Sequence, residues 1–185
     1  MSKILVIDRN VAQAAEKSVA DRVVGRLDET AAFEARRGTD LSVDEDTEIL
    51  VYFPLVGAGK EQVPDLGEAE SLLGTCTASP LRLVLLLSSA AVYGARPQNP
   101  GFIAESRPSS QNGKNWYGVI NGIAEQWMSL EALAAGHLGN RQQVELAILR
   151  PTAVLTAGGR DYFSRLFGGR VAFTLAGHDP SLQLL

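Results

Sequence analysis

Two short segments of this chain carry the residue types that transfer protons to and from a hydroxyl group. Residues 88–94 read SSAAVYG and close an apolar run, and residues 117–121 read YGVIN and open a long segment of helical periodicity. A tyrosine phenol has a pKa of about 10, so it acts as a base at neutral pH only beside a positive charge. Asn121 stands one helical turn after Tyr117, and because its side chain is neutral it cannot provide that charge.

Taken in order, these segments resemble the epimerase and dehydratase branch of the extended short-chain dehydrogenase/reductase family. The resemblance rests on Ser-Ser-x-x-Val-Tyr-Gly, on Glu105 in the loop that follows, on Tyr-Gly-x-x-Asn-x-x-x-Glu ending at Glu125, and on the Arg-Pro pair at 150–151. It extends from about residue 66 to residue 151. It implies an α/β fold with a Rossmann-like doubly wound parallel sheet and helices on both faces.

The resemblance also implies a role for individual residues. Ser89 would orient the substrate, Tyr117 would be the catalytic acid and base, and Asn121 would stand where the family has a lysine. Asn121 could still form a hydrogen bond with a ribose hydroxyl. The residues expected to contact NAD or NADP are Asp8, Arg9, Asn10, Ser88 and Asn121. The substrate implied is a nucleotide sugar or a similar small molecule.

The turn after the first apolar run departs from the family pattern. Residues 8–14 read DRNVAQA, and the first glycine of the chain is Gly25. A glycine-rich turn lets the backbone approach a pyrophosphate, whereas Asp8 adds a like charge. Arg9 and a helix N-terminus still attract anions. With Asn121, this turn predicts impaired redox catalysis. The alternatives are a non-catalytic Rossmann-fold binding or dimerisation protein and an inactive fragment of a larger enzyme.

The alternation of apolar runs with helical periodicity predicts a parallel sheet with helices between its strands. Strands are predicted at residues 4–7, 49–53, 81–87, 144–149 and 171–175. Helices are predicted at residues 11–23, 66–78, 115–135 and 161–167, and residues 29–37 also have a helical pattern. Ligands bind at the carboxyl ends of such strands, so Asp8, Ser88 and Ser89 should lie at one edge.

The composition limits the class of protein. The chain has 185 residues, of which 45% are hydrophobic, and a net charge of −4, so residues 1–185 are expected to form a single domain. Scattered Lys and Arg argue against a nucleic-acid partner, and no apolar run approaches the roughly 20 residues of a membrane span. His137 and His178 lack metal-ligand spacing, so no metal site is expected. Cys76 is the only cysteine, which fits a cytoplasmic location and predicts a buried thiol.

Further expectations concern partners and the C-terminal part of the chain. In the family, the helices that correspond to residues 66–78 and 115–135 pack against their copies in a second subunit, so a homodimer is expected. The substrate-covering region of the family is missing from this sequence, so the sequence does not identify the substrate. The choice between NAD and NADP is not identified either, because the second strand and its acidic or basic end residue cannot be placed. Trp116 and Trp127 lie on the apolar side of the predicted helix and are interpreted as core or interface residues.

Overall fold

The computed structural model describes residues 1–9, 19–30, 32–38, 40–54, 63–94, 103–106 and 118–151. The strands in these ranges form one parallel sheet in the order β2-β1-β3-β4-β5. They are β1 (Ser2–Asp8), β2 (Phe33–Gly38), β3 (Ile49–Phe53), β4 (Leu83–Leu87) and β5 (Glu145–Leu149). This arrangement confirms the predicted α/β class with a Rossmann-like parallel sheet.

Helices cover both faces of the sheet. They are α1 (Val19–Asp28), α2 (Leu66–Thr75) and α3 (Gly118–Leu138), and two 3₁₀ turns span Cys76–Ala78 and Ala90–Tyr93. Because successive strand residues point to opposite faces, Leu5 and Ile7 of β1 pack in the core beneath α2 and α3, while Ile4 and Val6 pack on the α1 side. Strands buried on both faces need apolar residues throughout, which explains their unbroken hydrophobic runs.

Most of the predicted elements agree with the structure to within a few residues. The bounds of β3 match the prediction, and α3 ends three residues later than expected. Gly136 lies inside α3, whereas Gly139 follows it and donates its backbone N–H to the Ala135 carbonyl oxygen at 2.8 Å. A Cβ atom at residue 139 would lie 2.6 Å from that oxygen, so only glycine fits there without a shift. The predicted elements at 161–167 and 171–175 lie outside the described residues.

The helical prediction for residues 29–37 is wrong, because this segment contributes the strand β2. Its Glu, Ala and Arg residues favour a helix locally. The backbone instead pairs with β1 in parallel from Ser2 opposite Phe33 to Ile7 opposite Gly38. Phe33 and Ala35 pack on the α1 side of the sheet, so the burial of apolar surface and the ladder of hydrogen bonds outweigh the local preference.

Cys76 is fully buried at the end of α2, which confirms the prediction of a buried thiol. Burial raises the pKa of this thiol to about 11. The Arg141 guanidinium donates hydrogen bonds to the carbonyl oxygens of Cys76, at 2.5 Å, and of Ser79, at 3.2 Å. These bonds fix the loop after α3 to the C-terminal end of α2.

The acidic run at residues 44–46 is exposed, as expected of a solvated loop. Asp46 pairs with Lys3 and Asp44 pairs with Arg36. Both pairs border an open hollow of about 460 Å³ near the amino ends of β1, β2 and β3. The hollow therefore lies at the opposite end of the sheet from Ser88 and Ser89.

Candidate functional site

The sheet changes its direction of growth at β1, which has β2 on one side and β3 on the other. In open α/β sheets, ligands bind outside the carboxyl ends of the strands at such a switch point. Asp8 ends β1, and Ser88 and Ser89 follow β4 directly. The structure thus brings these three residues to the same edge of the sheet.

The two serines of the SSAAVYG segment have different surroundings. Ser88 is buried, and its hydroxyl donates a hydrogen bond of 2.5 Å to Glu131 Oε1. Ser89 is half-buried, and its Oγ accepts a hydrogen bond of 3.1 Å from the Ala91 backbone N–H, capping the 3₁₀ turn Ala90–Tyr93. A hydroxyl that accepts one bond can still donate another, so Ser89 retains the ability to donate to a ligand.

A buried ion pair joins α3 to the end of β5 beside Ser88. Arg150 donates from Nε to Glu131 Oε1 at 2.9 Å and from Nη2 to Glu131 Oε2 at 2.7 Å. It also donates from Nη1 to the Tyr93 hydroxyl at 2.9 Å, with its guanidinium carbon 5.4 Å from the centre of the Tyr93 ring. The bonds to Glu131 raise the pKa of Arg150 further above its ordinary value, so the guanidinium stays charged. The cluster ties β4, α3 and β5 together at the carboxyl edge.

Glu131 was not among the residues that the sequence singled out. Its signal is a carboxylate on the apolar side of α3, next to the buried Leu130 and one turn from the buried Trp127 and Ala134. A charged side chain in such a position requires a partner. Arg150, which the resemblance includes only as part of an Arg-Pro pair, is that partner. By contrast Glu125, which ends the Tyr-Gly motif, is exposed.

The register of α3 determines which of its residues reach this edge. The Glu131 contact with Ser88 places residue 131 beside the end of β4. Asn121 precedes Glu131 by ten residues, which corresponds to about 15 Å along the helix axis at a rise of about 1.5 Å per residue. Tyr117 and Asn10 lie outside the described residues, and the structure describes Asn121 only as part of the helix.

Arg9 bridges the switch point. Its backbone N–H donates to the Phe53 carbonyl oxygen at 3.0 Å, one residue beyond the end of β1. Its side chain donates from Nε to Glu68 Oε2 at 2.8 Å and from Nη2 to Glu68 Oε1 at 2.5 Å. Both side chains are about three-quarters buried. The Arg9 guanidinium, which the sequence suggested as a binding group for an anion, is therefore paired with the Glu68 carboxylate of α2.

Asp8 belongs to a second charged group at the same edge. Its side chain is 5% exposed, and its carboxylate lies 3.8 Å from Arg37 Nη2. Arg37 also donates a hydrogen bond of 2.8 Å to Asp21 of α1. Two carboxylates thus face the Arg37 guanidinium where β1 and β2 end.

Tyr52 is fully buried at the end of β3, and its hydroxyl has no hydrogen-bond partner within the part of the chain that the structure describes. Burial raises the pKa of Tyr52, and the nearby Glu68 carboxylate raises it further, so the hydroxyl stays neutral. Leaving a buried donor unpaired costs about 1–3 kcal/mol. Tyr52→Phe removes that donor without changing the shape of the side chain. We expect it to raise the free energy of unfolding by about 1 kcal/mol, measured by urea denaturation.

Tyr93→Phe is the matched control for this substitution. Tyr93 packs in the same core cluster, but its hydroxyl accepts a hydrogen bond from Arg150. Its removal should lower the free energy of unfolding by about 1 kcal/mol. Equal losses in the two variants would mean that the Tyr52 hydroxyl has a partner in solution.

Asp8 and Arg9, at the end of β1, do not fit the pyrophosphate of a dinucleotide. Asp8 presents a buried carboxylate at the end of β1, and Arg9 already makes two side-chain bonds to Glu68.

Among the described residues, no three His, Cys, Asp or Glu side chains are grouped so as to hold a metal ion. Within the same part of the chain, every helix is too short or too polar to cross a membrane.

No protein-family model matches this chain, and no curated protein does. Solved structures share its fold. UDP-glucuronic acid 4-epimerase from Bacillus cereus, in complex with NAD, superposes with a TM-score of 0.57 and 18% identity over 80% of this chain and 56% of that one. MoeE5 in complex with UDP-glucose and NAD superposes with a TM-score of 0.59 and 18% identity, over 89% of this chain and 60% of that one.

The UDP-Glc/GlcNAc 4-epimerase from Campylobacter jejuni gives a TM-score of 0.55 and 17% identity, over 90% of this chain and 60% of that one. The chain therefore spans less than two thirds of the length of each of these neighbours. At such identities the likeness shows the fold, which these neighbours share with this chain.

Proposed function

We propose that this chain is a relative of the NAD-dependent nucleotide-sugar epimerases and dehydratases whose redox catalysis is impaired. The common fold and the serine pair at the end of β4 support the relationship. The impairment rests above all on one observation, the hydrogen-bonded pair of Arg9 and Glu68 across the switch point. A dinucleotide would have to compete with Glu68 for Arg9 at the place where such sheets bind their ligands.

In this proposal the remaining chemistry belongs to Ser89 and Tyr117, with Ser89 orienting a ligand hydroxyl and Tyr117 transferring its proton. A positive charge about 5 Å from the phenol would contribute roughly 3 kcal/mol at an effective dielectric constant of about 20, or about two pKa units. Asn121 contributes no such charge, and its part is a hydrogen bond to a ribose hydroxyl.

A nucleotide sugar is the ligand class that follows from the relationship, and a homodimer through α2 and α3 is the assembly. A non-catalytic protein that keeps the Rossmann fold for binding or dimerisation is the second candidate. The same Arg9–Glu68 pair favours it, because the pair closes the cofactor crevice while leaving the sheet and both helical layers intact.

A titration with NADH and NADPH tests the proposal. Following the fluorescence of the reduced nicotinamide, we expect no saturation at micromolar concentrations and no epimerisation of UDP-glucose when NAD is added. Micromolar binding, together with turnover that Tyr117→Phe abolishes, would overturn it. Far-UV circular dichroism of the unaltered chain and of Tyr117→Phe verifies that both are folded during the titration.

A further inference from the structure

Arg9 joins β1 both to β3 and to α2 at the carboxyl edge of the sheet. The backbone bond from Arg9 to Phe53 continues the pairing of the two strands one residue past the end of β1. The Arg9 side chain then reaches Glu68 on α2, the helix that follows β3 in the sequence. The two halves of the switch point are thus held together by one backbone bond and two side-chain bonds.

The strand alternation explains why Arg9 meets α2. Leu5 and Ile7 point into the core beneath α2 and α3, and Arg9 continues the same series of alternate residues. Tyr52, opposite Ile7 on β3, lies on the same side. Glu68 stands in the first turn of α2, above this face. The pair therefore follows from the register of β1 and β3 and from the start of α2.

The N-terminus of α2 is also occupied by acidic groups of the chain itself. The Asp65 carboxylate caps the helix by accepting a hydrogen bond of 3.0 Å from the Glu68 backbone N–H. Both carboxylates are favoured at the positive end of the helix dipole. The Asp65 carboxylate occupies the helix N-terminus, and the Glu68 carboxylate occupies the Arg9 guanidinium. Proteins commonly use both kinds of group to bind phosphates.

We infer that Glu68 is a specificity-determining residue, whose carboxylate takes the place of a ligand phosphate on Arg9 and so excludes dinucleotides from the switch point. The inference rests on the proposed function and assigns the loss of dinucleotide binding in part to Glu68. Neutralising Glu68 removes one negative charge from the crevice, and replacing it by alanine also removes the acceptor of two Arg9 donors. Bidentate pairing of a guanidinium with phosphate is among the strong charge-assisted interactions, so the gain in affinity should be at least about tenfold.

The test compares five proteins by NADH and NADPH fluorescence: the unaltered chain, Glu68→Gln, Glu68→Ala, Glu70→Gln, and Glu68→Gln combined with Arg9→Gln. Glu70 lies exposed on the same helix, so Glu70→Gln changes the net charge equally without touching Arg9. Glu68→Ala is included because a glutamine carbonyl can still accept a bond from Arg9. Inorganic pyrophosphate, measured by calorimetry, is the second probe.

Both single Glu68 variants should bind the dinucleotides and pyrophosphate at least about tenfold more tightly than the unaltered chain and Glu70→Gln, and the double variant should lose the gain. Equal affinities in all five proteins would overturn the inference, and the proposed impairment would then depend on Asn121 and on the glycine-free turn at residues 8–14. Micromolar binding with turnover by the unaltered chain would instead overturn the proposed function. Circular dichroism and urea denaturation identify any variant that does not fold, and the other Glu68 variant then decides.

Discussion

Replacing Glu131 by leucine is expected to lower the free energy of unfolding by about 3 kcal/mol, close to the lower end for a broken buried ion pair. Glu131 accepts three hydrogen bonds, one from Ser88 and two from Arg150. Without the carboxylate, the Arg150 guanidinium loses its counter-charge and keeps only its bond to the Tyr93 hydroxyl, and the buried Ser88 hydroxyl loses its acceptor. The lower end applies because the Arg150 side chain is 25% exposed and water can solvate part of its charge.

Urea denaturation measures this loss, and Glu125→Leu is the control. Glu125 lies exposed on the same helix, so its replacement should change the stability by less than about 0.5 kcal/mol. Adding Arg150→Met to Glu131→Leu should recover much of the loss, since both charges are then gone. A loss at residue 131 no larger than that at residue 125 would contradict the buried pair.

Trp127→Ala is expected to have a still larger effect, lowering the free energy of unfolding by about 3–5 kcal/mol. Trp127 is 3% exposed and packs in the core cluster between the sheet and the helices α2 and α3. Alanine in its place leaves a cavity in a region with few alternatives for filling it. The interpretation of Trp127 as a core or interface residue is confirmed for the core.

Far-UV circular dichroism in urea is the suitable measurement, because the substitution removes one of the two tryptophans. Gln126→Ala, at the exposed neighbouring position, should leave the stability nearly unchanged. If Trp127 stacked on a ligand instead, its removal would weaken ligand binding and cost little stability. That outcome would contradict the core assignment.

The strand pattern was readable because buried parallel strands need uninterrupted apolar residues. The segment LVLLL of β4 and the segment ILVYF of β3 are short continuous apolar runs, and their length, with Pro54 after the second, favours buried strands over helices. The strand β2, FEARRG, has helix-forming residues and becomes a strand only through its pairing with β1. The alternation of apolar and charged residues in this segment covers only Phe33 to Arg36, which is too short to outweigh the local helical preference.

The site was readable only in part, and the reason is the distance along the sequence between partners. Ser88 and Ser89 could be placed at the carboxyl edge because they directly follow an apolar run. Glu131 pairs with a residue 43 positions away, and Arg9 with one 59 positions away. Only the packing of α2 and α3 on the sheet brings these residues together. The residues that pair across the sheet edge, Glu68 above all, were therefore not predicted.

Because Cys76 is buried, the reactivity of its thiol reports when the end of α2 opens. A thiol reacts as the thiolate, and with a pKa of about 11 only about one molecule in a thousand is ionised at pH 8. Because the sulfur is enclosed, an alkylating reagent must wait until the end of α2 separates from the core. As the chain has a single cysteine, each modification adds one mass increment and records one exposure event. The rate of iodoacetamide labelling thus reports the fraction of molecules in which the end of α2 is open, without a second cysteine being introduced.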